Sequence, residues 1–426
     1  MPSLDLPVEL KNVTILQFTN SYYGNLLLAD DAVYSWGKND YGVDADGTTV
    51  NHYQPRKVFS WDLQGPKGIA QIASGPYNFY AIDENGKLYS WGKNDFGQLG
   101  DRTPIDKWRP VDVFMKGALL NQTVTRVCGG LTHTLVLANN GMLYSFGDNS
   151  KGQLGIGVSS SVIAKKWEPV LINFPFNDTI ADIQCGDNHN LVLLTGGAMY
   201  AWGLNDYGQL GDNTTTTRTK PTKVNTLSAI GPKRIEQIGA GGYTFYVIDE
   251  NGKAYAWGRN NRGQLGDKTT IDKPRPVDVY MKGILLNQTV IRVCGGESHT
   301  LLLTSNNELA AMGDNTYGQL GVGTSGGYKM EPTRVNIKFN GTIMDIQCGE
   351  NYNLVLTSKG LVYGWGRNDV GQLGSGDKLD KLEPTLISYL KNSTVVKIYA
   401  RFSTSFALTN ESFLYAWGNN NQYQLG

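Results

Sequence analysis

Cysteine is scarce in this chain, with four in 426 residues, too few for a disulfide scaffold and consistent with the reducing cytosol or nucleus. Net charge is missing too: 38 Lys+Arg balance 38 Asp+Glu. Without a basic excess, non-specific binding to nucleic acid is not expected. No run of like charges is long enough to act as a tail. Long apolar runs are absent, and Met1–Leu10 carries neither a basic segment nor a hydrophobic stretch. We therefore expect no membrane span and no secretion. Helical periodicity is also lacking throughout. Glycine is abundant, 52 residues without a collagen period, and so must serve turns.

A phrase of the type Tyr-Ser-Trp-Gly-Lys-Asn-Asp-Phe-Gly-Gln-Leu-Gly, as at 89–100, recurs along the whole chain. Its anchors are Trp36, Trp91, Phe146, Trp202, Trp257, Met312, Trp365 and Trp417, spaced by 52 to 56 residues. Eight copies at so even a spacing define repeat units, and the repeats make 1–426 one domain despite its length. Each unit carries the signals of four short strands. In 124–155, Val124–Cys128 alternates and is followed by Gly129-Gly130 and the apolar run His133–Leu137. Asn140-Gly141 then predicts a hairpin with a type I′ turn, repeated at Asn85-Gly86 and Asn251-Gly252. Buried leucines are expected at Leu99, Leu210, Leu265, Leu320 and Leu373. A Pro-x-x-Val-like segment (Pro110, Pro169, Pro221, Pro276, Pro332, Pro384) reads as an edge strand, where proline's missing N–H does no harm.

Four-stranded units repeated around a ring give an all-β closed propeller. The Trp column is expected to pack between blades. Pro7-Val8 and Val13–Leu16 match the last two strands of a unit, and the text through Trp417–Gly426 finishes the first two of another. Joining them would complete one blade across the termini. Residues 82–130 and 248–296 are nearly the same text, offset by 166, which implies a duplicated three-unit block.

The text Cys-Gly-Gly-x-x-His-Thr, followed by Gly-x-Leu-Tyr-x-Trp-Gly-x-Asn-x-x-Gly-Gln-Leu-Gly, resembles the regulator of chromosome condensation repeat over essentially the whole chain. The resemblance implies a propeller, usually of seven blades. Eight units are counted here, so seven and eight both stand at this point. The family's best-known activity, guanine-nucleotide exchange on the small GTPase Ran, involves acidic and His residues near the Gly-x-x-His-Thr turns. Matching positions are His133, Asp187, His189, Glu297, His299 and Glu350. The inserted wedge and basic N-terminal tail of the family's exchange factor have no counterpart here.

One column lies eight residues before each hairpin glycine position: Tyr23, Asn78, His133, His189, Thr244, His299, Tyr352 and Thr404. It should sit at one height on the ring, either as a recognition ring or as polar groups satisfying strand starts. His133, His189 and His299 lie on three blades and are not expected to share a metal. Cys128, Cys185, Cys294 and Cys348 occupy one strand position of four units and are expected as small buried groups, unpaired because they lie on separate blades. Eight Asn-x-Ser/Thr sequons occur, at Asn12, Asn121, Asn177, Asn213, Asn287, Asn340, Asn392 and Asn410. Five of them open the same strand, which turn-forming Asn and β-favouring Thr explain without glycans.

No spacing supports a catalytic triad, a carboxylate pair or a phosphate-binding loop. The expectation is a non-catalytic, monomeric interaction propeller with no cofactor. It would bind a protein partner through one face, with 101–123, 156–170 and 267–289 as candidate loops. Exchange on a small GTPase is the alternative.

Overall fold

The computed structural model describes residues 14–425 except 31, 59–67, 114–116, 160, 175–177, 226–233, 281–285 and 337–338. Eight antiparallel sheets follow one another along the chain, seven of four strands and one of three. Each is a meander whose strands run from the ring axis outward. Blade 1 comprises Ile15–Asn20, Gly24–Ala29, Val33–Gly37 and His52–Lys57. Blade 3 comprises Val124–Gly129, His133–Ala138, Leu143–Asp148 and Lys165–Leu171. The last blade shows Val395–Arg401, Thr404–Thr409 and Leu414–Gly418. The propeller thus has eight blades, not the family's usual seven.

The second strand of every blade is buried along its whole length, as His133–Ala138 illustrates. It is covered by neighbouring blades on both faces, which is why it reads as a continuous apolar run rather than an alternating one. Outer strands are mostly half-buried or exposed, and the prolines sit within them, as Pro110 does in Lys107–Asp112 and Pro384 in Lys381–Leu386. The residue three after each proline (Val113, Ile172, Val224, Val279, Val335, Ile387) is buried.

The apolar core is divided into eight clusters, one at each junction between blades. Trp202 of blade 4, for example, packs on Leu135 and Leu137 of blade 3. All eight anchors are at most 3 % exposed. Most indoles also donate a hydrogen bond to the preceding blade. Trp202 reaches the Gln153 carbonyl at 3.0 Å, Trp257 that of Gln209 at 3.0 Å and Trp365 that of Gln319 at 3.0 Å. The seam between blades 8 and 1 obeys the same rule: Trp36 and Asn25 both donate to the Gln424 carbonyl, at 3.3 and 2.8 Å. Phe18, Leu27 and Trp36 there share a core with Phe406 and Leu408.

Several sequence expectations need correction. Ile15–Asn20 is the innermost strand of blade 1, so Ile15 and Leu16 of the Val13–Leu16 segment do not close the last blade, and Val13 lies outside the described residues. That blade already has three strands of its own from the C-terminal segment, and Pro7-Val8 lies outside the described residues. The hairpins are not type I′ turns. Gly86, Gly141 and Gly252 have φ of 71° to 78°, but the Asn before each does not have positive φ. Gly86 N–H donates to Asp83 O at 2.9 Å and Asp83 N–H to Lys87 O at 3.0 Å. This is a type I turn followed by a left-handed glycine, a longer loop that also suits the twist of the strands. Finally, 101–123, 156–170 and 267–289 are not single loops: each contains most or all of a blade's outer strand, Lys107–Asp112, Lys165–Leu171 and Lys273–Asp278.

Candidate interaction face at the channel mouth

In an antiparallel meander, the turns joining the first two strands of every blade fall at one end of the ring. Here they converge on one mouth of the central channel and are tied to each other by backbone hydrogen bonds. Tyr22 N–H donates to Pro76 O, Leu131 to Asp187, Glu297 to Glu350 and Glu350 to Phe402, at 2.9 to 3.0 Å. The turns pass so close together that side chains are excluded at some positions. A Cβ on Gly130 would lie on the His133 ring and 2.8 Å from the Gly186 carbonyl.

The polar column does gather at this end, immediately beneath the turns. Asn78, His133, His189, Thr244, His299, Tyr352 and Thr404 are all buried. Several of them link neighbouring blades. His133 Nε2 is 2.9 Å from Asn190 Oδ1, and Asn190 Nδ2 donates to Gln153 O at 2.8 Å. His299 and Asn353 repeat this at 2.9 Å, with Asn353 donating to Gln319 O. Where a tyrosine replaces the histidine, the Tyr352 hydroxyl donates to the Thr404 carbonyl of the next blade. Burial pushes the His133 and His189 pKa values down to about 4 and lowers that of His299, so all three are neutral near pH 7.

Of the positions singled out from the sequence, Tyr23, Asp187, Glu297 and Glu350 reach solvent. Asp187 is raised by burial, opposed by the positive charge of Arg401 from blade 8 across the channel. Glu350 is raised by burial and by the charge of Glu297. None of the three carboxylates forms an ion pair among the described residues. Arg401 instead donates to the Asn20 carbonyl and Ser74 Oγ of blades 1 and 2.

The sequence reading missed an aromatic cluster beside these acids. Tyr22 stacks on Phe402 with centroids 3.9 Å apart and lies 5.5 Å from Tyr77. Tyr23 lies 5.3 Å from Tyr77 and 5.8 Å from Tyr41. Lys38 sits over Tyr23, and Lys93 over Tyr41 and Tyr77. Tyr22, Tyr23, Tyr77, Phe402 and Glu350 help to line a cavity of about 280 Å³ at the mouth. Burial and the Asp187 charge push the Tyr22 hydroxyl up to about 12. The signal was present in the tyrosines at 22, 23, 41 and 77 and in the divergent Tyr399-Ala-Arg-Phe text.

The cysteines were read wrongly. Cys128 bonds to Cys185, and Cys294 to Cys348. The innermost strands crowd round the axis, which brings equivalent positions of adjacent blades to Cα separations of 5.7 and 5.8 Å, within disulfide range. An ion pair accompanies each bridge, Arg126–Asp182 and Arg292–Asp345. Bridge, ion pair and His–Asn contact therefore recur together at junctions 3/4 and 6/7, the structural image of the 166-residue duplication.

Among the described residues, no group of three or more His, Cys, Asp or Glu could hold a metal ion, and no helix is long and apolar enough to cross a membrane. Known proteins share the architecture. The chain is 30 % identical over 362 residues to the ultraviolet-B receptor UVR8 of Arabidopsis thaliana, covering 85 % of this chain and 79 % of the receptor. It is 30 % identical to the E3 ubiquitin-protein ligase HERC2 of Homo sapiens, over 80 % of this chain but 7 % of the ligase. In fold it is similar to Prp20p from Saccharomyces cerevisiae, with a TM-score of 0.64 at 19 % identity, covering 95 % of each chain. An RCC1-like domain model matches residues 6–243, and the regulator of chromosome condensation (RCC1) repeat matches 251–303, 308–356 and 359–407. With eight blades and the repeat text throughout, the chain belongs to the regulator of chromosome condensation (RCC1) repeat family.

Proposed function

We propose that this protein is a non-catalytic interaction propeller that binds a protein partner through the turn face at the channel mouth. One observation carries the reading. Asp187, Glu297 and Glu350 stand on this face with no ion pair among the described residues, Asp187 and Glu350 close to a cluster of partly exposed tyrosines, while the ring beneath is held rigid by inter-blade bonds. Tyrosines and unpaired charges on a preorganised frame favour tight protein association, because little side-chain entropy is lost on binding. The binding unit is a monomer that needs no cofactor, nucleic acid or membrane.

A second reading is guanine-nucleotide exchange on a small GTPase. The acids occupy the turn positions that the family resemblance points to, and the structure of Prp20p is described together with its binding to Gsp1p and histones. Exchange would work by differential affinity for the nucleotide-free state. Release of fluorescent GDP from a panel of Ras-superfamily GTPases, Ran included, separates the two. Acceleration that is lost in Asp187→Ala, Glu297→Ala and Glu350→Ala supports exchange. No acceleration, with a partner captured by the wild-type face and released by the same variants, supports the interaction reading.

A further inference from the structure

Two features of the chain have no role in the turn face. All four cysteines are paired, with none free among the described residues. Disulfides persist in oxidising compartments and are rare where thiols are kept reduced. The expectation of a reducing compartment rested on the scarcity of cysteine, yet all four of the cysteines present are joined in inter-blade bridges.

The second feature is the sequons. Asn121, Asn213, Asn287, Asn340, Asn392 and Asn410 are all exposed, while Asn12 and Asn177 lie outside the described residues. A purely conformational role for the asparagines accounts for only some of them. Asn121, Asn213 and Asn287 use positive φ, at 59°, 68° and 62°. Asn392 and Asn410 have no positive φ, and neither side chain is hydrogen-bonded among the described residues. Asn340 accepts from the exposed Lys359 ammonium.

Their placement is one-sided. Asn121, Asn287, Asn340 and Asn392 each stand three residues before an innermost strand, beginning at Val124, Val290, Ile343 and Val395. Asn410 sits in the hairpin after Thr404–Thr409. In an antiparallel meander all five positions fall at the end of the ring opposite the turn face, and among the described sequons only Asn213 lies at the same end as that face. Bulky glycans on these asparagines would coat one face and leave the tyrosine–carboxylate mouth open.

We propose that the chain matures in an oxidising, glycosylating compartment, where two inter-blade disulfides form and N-linked glycans cover the face opposite the channel mouth. Each thiol pair gives up two protons and two electrons to a protein or small-molecule disulfide oxidant, forming one S–S bond. At each sequon the asparagine amide nitrogen forms a C–N bond to the anomeric carbon of a lipid-diphosphate-linked oligosaccharide. The C–O bond to the diphosphate breaks, and the lost amide proton goes to the departing lipid diphosphate. The proposal goes beyond the interaction reading and holds for any partner of the mouth, except that it removes a cytosolic GTPase from candidacy.

The natural full chain, recovered from the cells that make it, tests this. It is alkylated without reduction, treated with peptide N-glycosidase in heavy-oxygen water and mapped by peptide mass spectrometry. The expected result is two linked cysteine peptides, Cys128–Cys185 and Cys294–Cys348, with heavy-labelled aspartate replacing Asn121, Asn287, Asn340, Asn392 and Asn410. Asn121→Gln and Asn287→Gln should lose the label at their own sites alone. Four alkylated cysteines, unlabelled asparagines at the five sites, or label confined to Asn213 would each overturn the proposal. Partner capture is read separately, so failure of one reading does not masquerade as failure of the other.

Discussion

Replacing Trp365 by alanine tests whether the blade junctions carry the stability of the ring. The indole is fully buried between blades 6 and 7 and packs with Leu301, Leu303 and Val355. Burying roughly 200 Å² of aromatic surface at about 25 cal/mol per Å² sets an upper figure near 5 kcal/mol. Large-to-small changes at such sites cost about 3–5 kcal/mol, cavity included. The lost indole hydrogen bond is part of that cost, but the Gln319 carbonyl is not orphaned, since Asn353 still donates to it at 2.8 Å. The expected loss is about 4 kcal/mol in equilibrium urea denaturation. Trp108→Ala is the control: that ring is 48 % exposed on the outer strand of blade 2. It should shift stability by less than about 1 kcal/mol. If Trp365→Ala costs under about 1 kcal/mol, or no more than Trp108→Ala, the junctions are not the core and the packing argument fails.

Further predictions concern the column, the bridges and the turns. His133 and His189 have folded pKa values near 4, below the ordinary 6.5, so unfolding takes up protons between those limits. The stability they contribute is present above pH 6.5 and is lost as pH falls towards 4, by about 3 kcal/mol for each. Melting of wild type and His133→Gln across that range should show a shallower acid loss in the variant; identical profiles would contradict the burial argument. Reducing the bridges opens loops of 57 and 54 residues. Loop entropy puts the cost at up to about 4 kcal/mol each, read as a drop in denaturation midpoint with dithiothreitol that Cys128→Ala/Cys185→Ala shows only in part. Gly130→Ala should destabilise by about 1–3 kcal/mol through its clash with His133, and an unchanged midpoint would mean that the turns can spread. Glu297→Gln, by contrast, should leave the melting temperature unchanged while weakening partner capture.

Much of the fold was legible because it repeats. The even spacing of Trp36, Trp91 and their equivalents counts the blades directly, and the Pro-x-x-Val-like text marks the outer strands. The turn type was missed because Asn-Gly alone does not distinguish a two-residue loop from a three-residue one; the hydrogen bond from Asp83 to Lys87 decides it. The cysteines were misjudged by treating separate blades as distant, although equal positions in neighbouring units are adjacent wherever inner strands converge on an axis. At the candidate site the height of the His column could be read but not its depth. Turn residues one or two positions away, Asp187 and Glu350 among them, reach the surface, while His133 Nε2 and the Tyr352 hydroxyl are spent on the next blade. The tyrosine cluster combines residues from blades 1, 2 and 8, and no single unit announces it.

The covalent bridges are unevenly distributed round the circle. They fasten junctions 3/4 and 6/7, leaving a short arc of two unbridged junctions between them on one side. The longer arc, from 7/8 through the seam to 2/3, has four. Compliance is therefore concentrated in the longer arc, where Tyr22 of blade 1 meets Phe402 of blade 8. The cavity at the channel mouth lies over that arc, so a partner seated there would brace the least restrained part of the circle, and its binding should be felt as slower amide exchange in blades 8, 1 and 2 before any other.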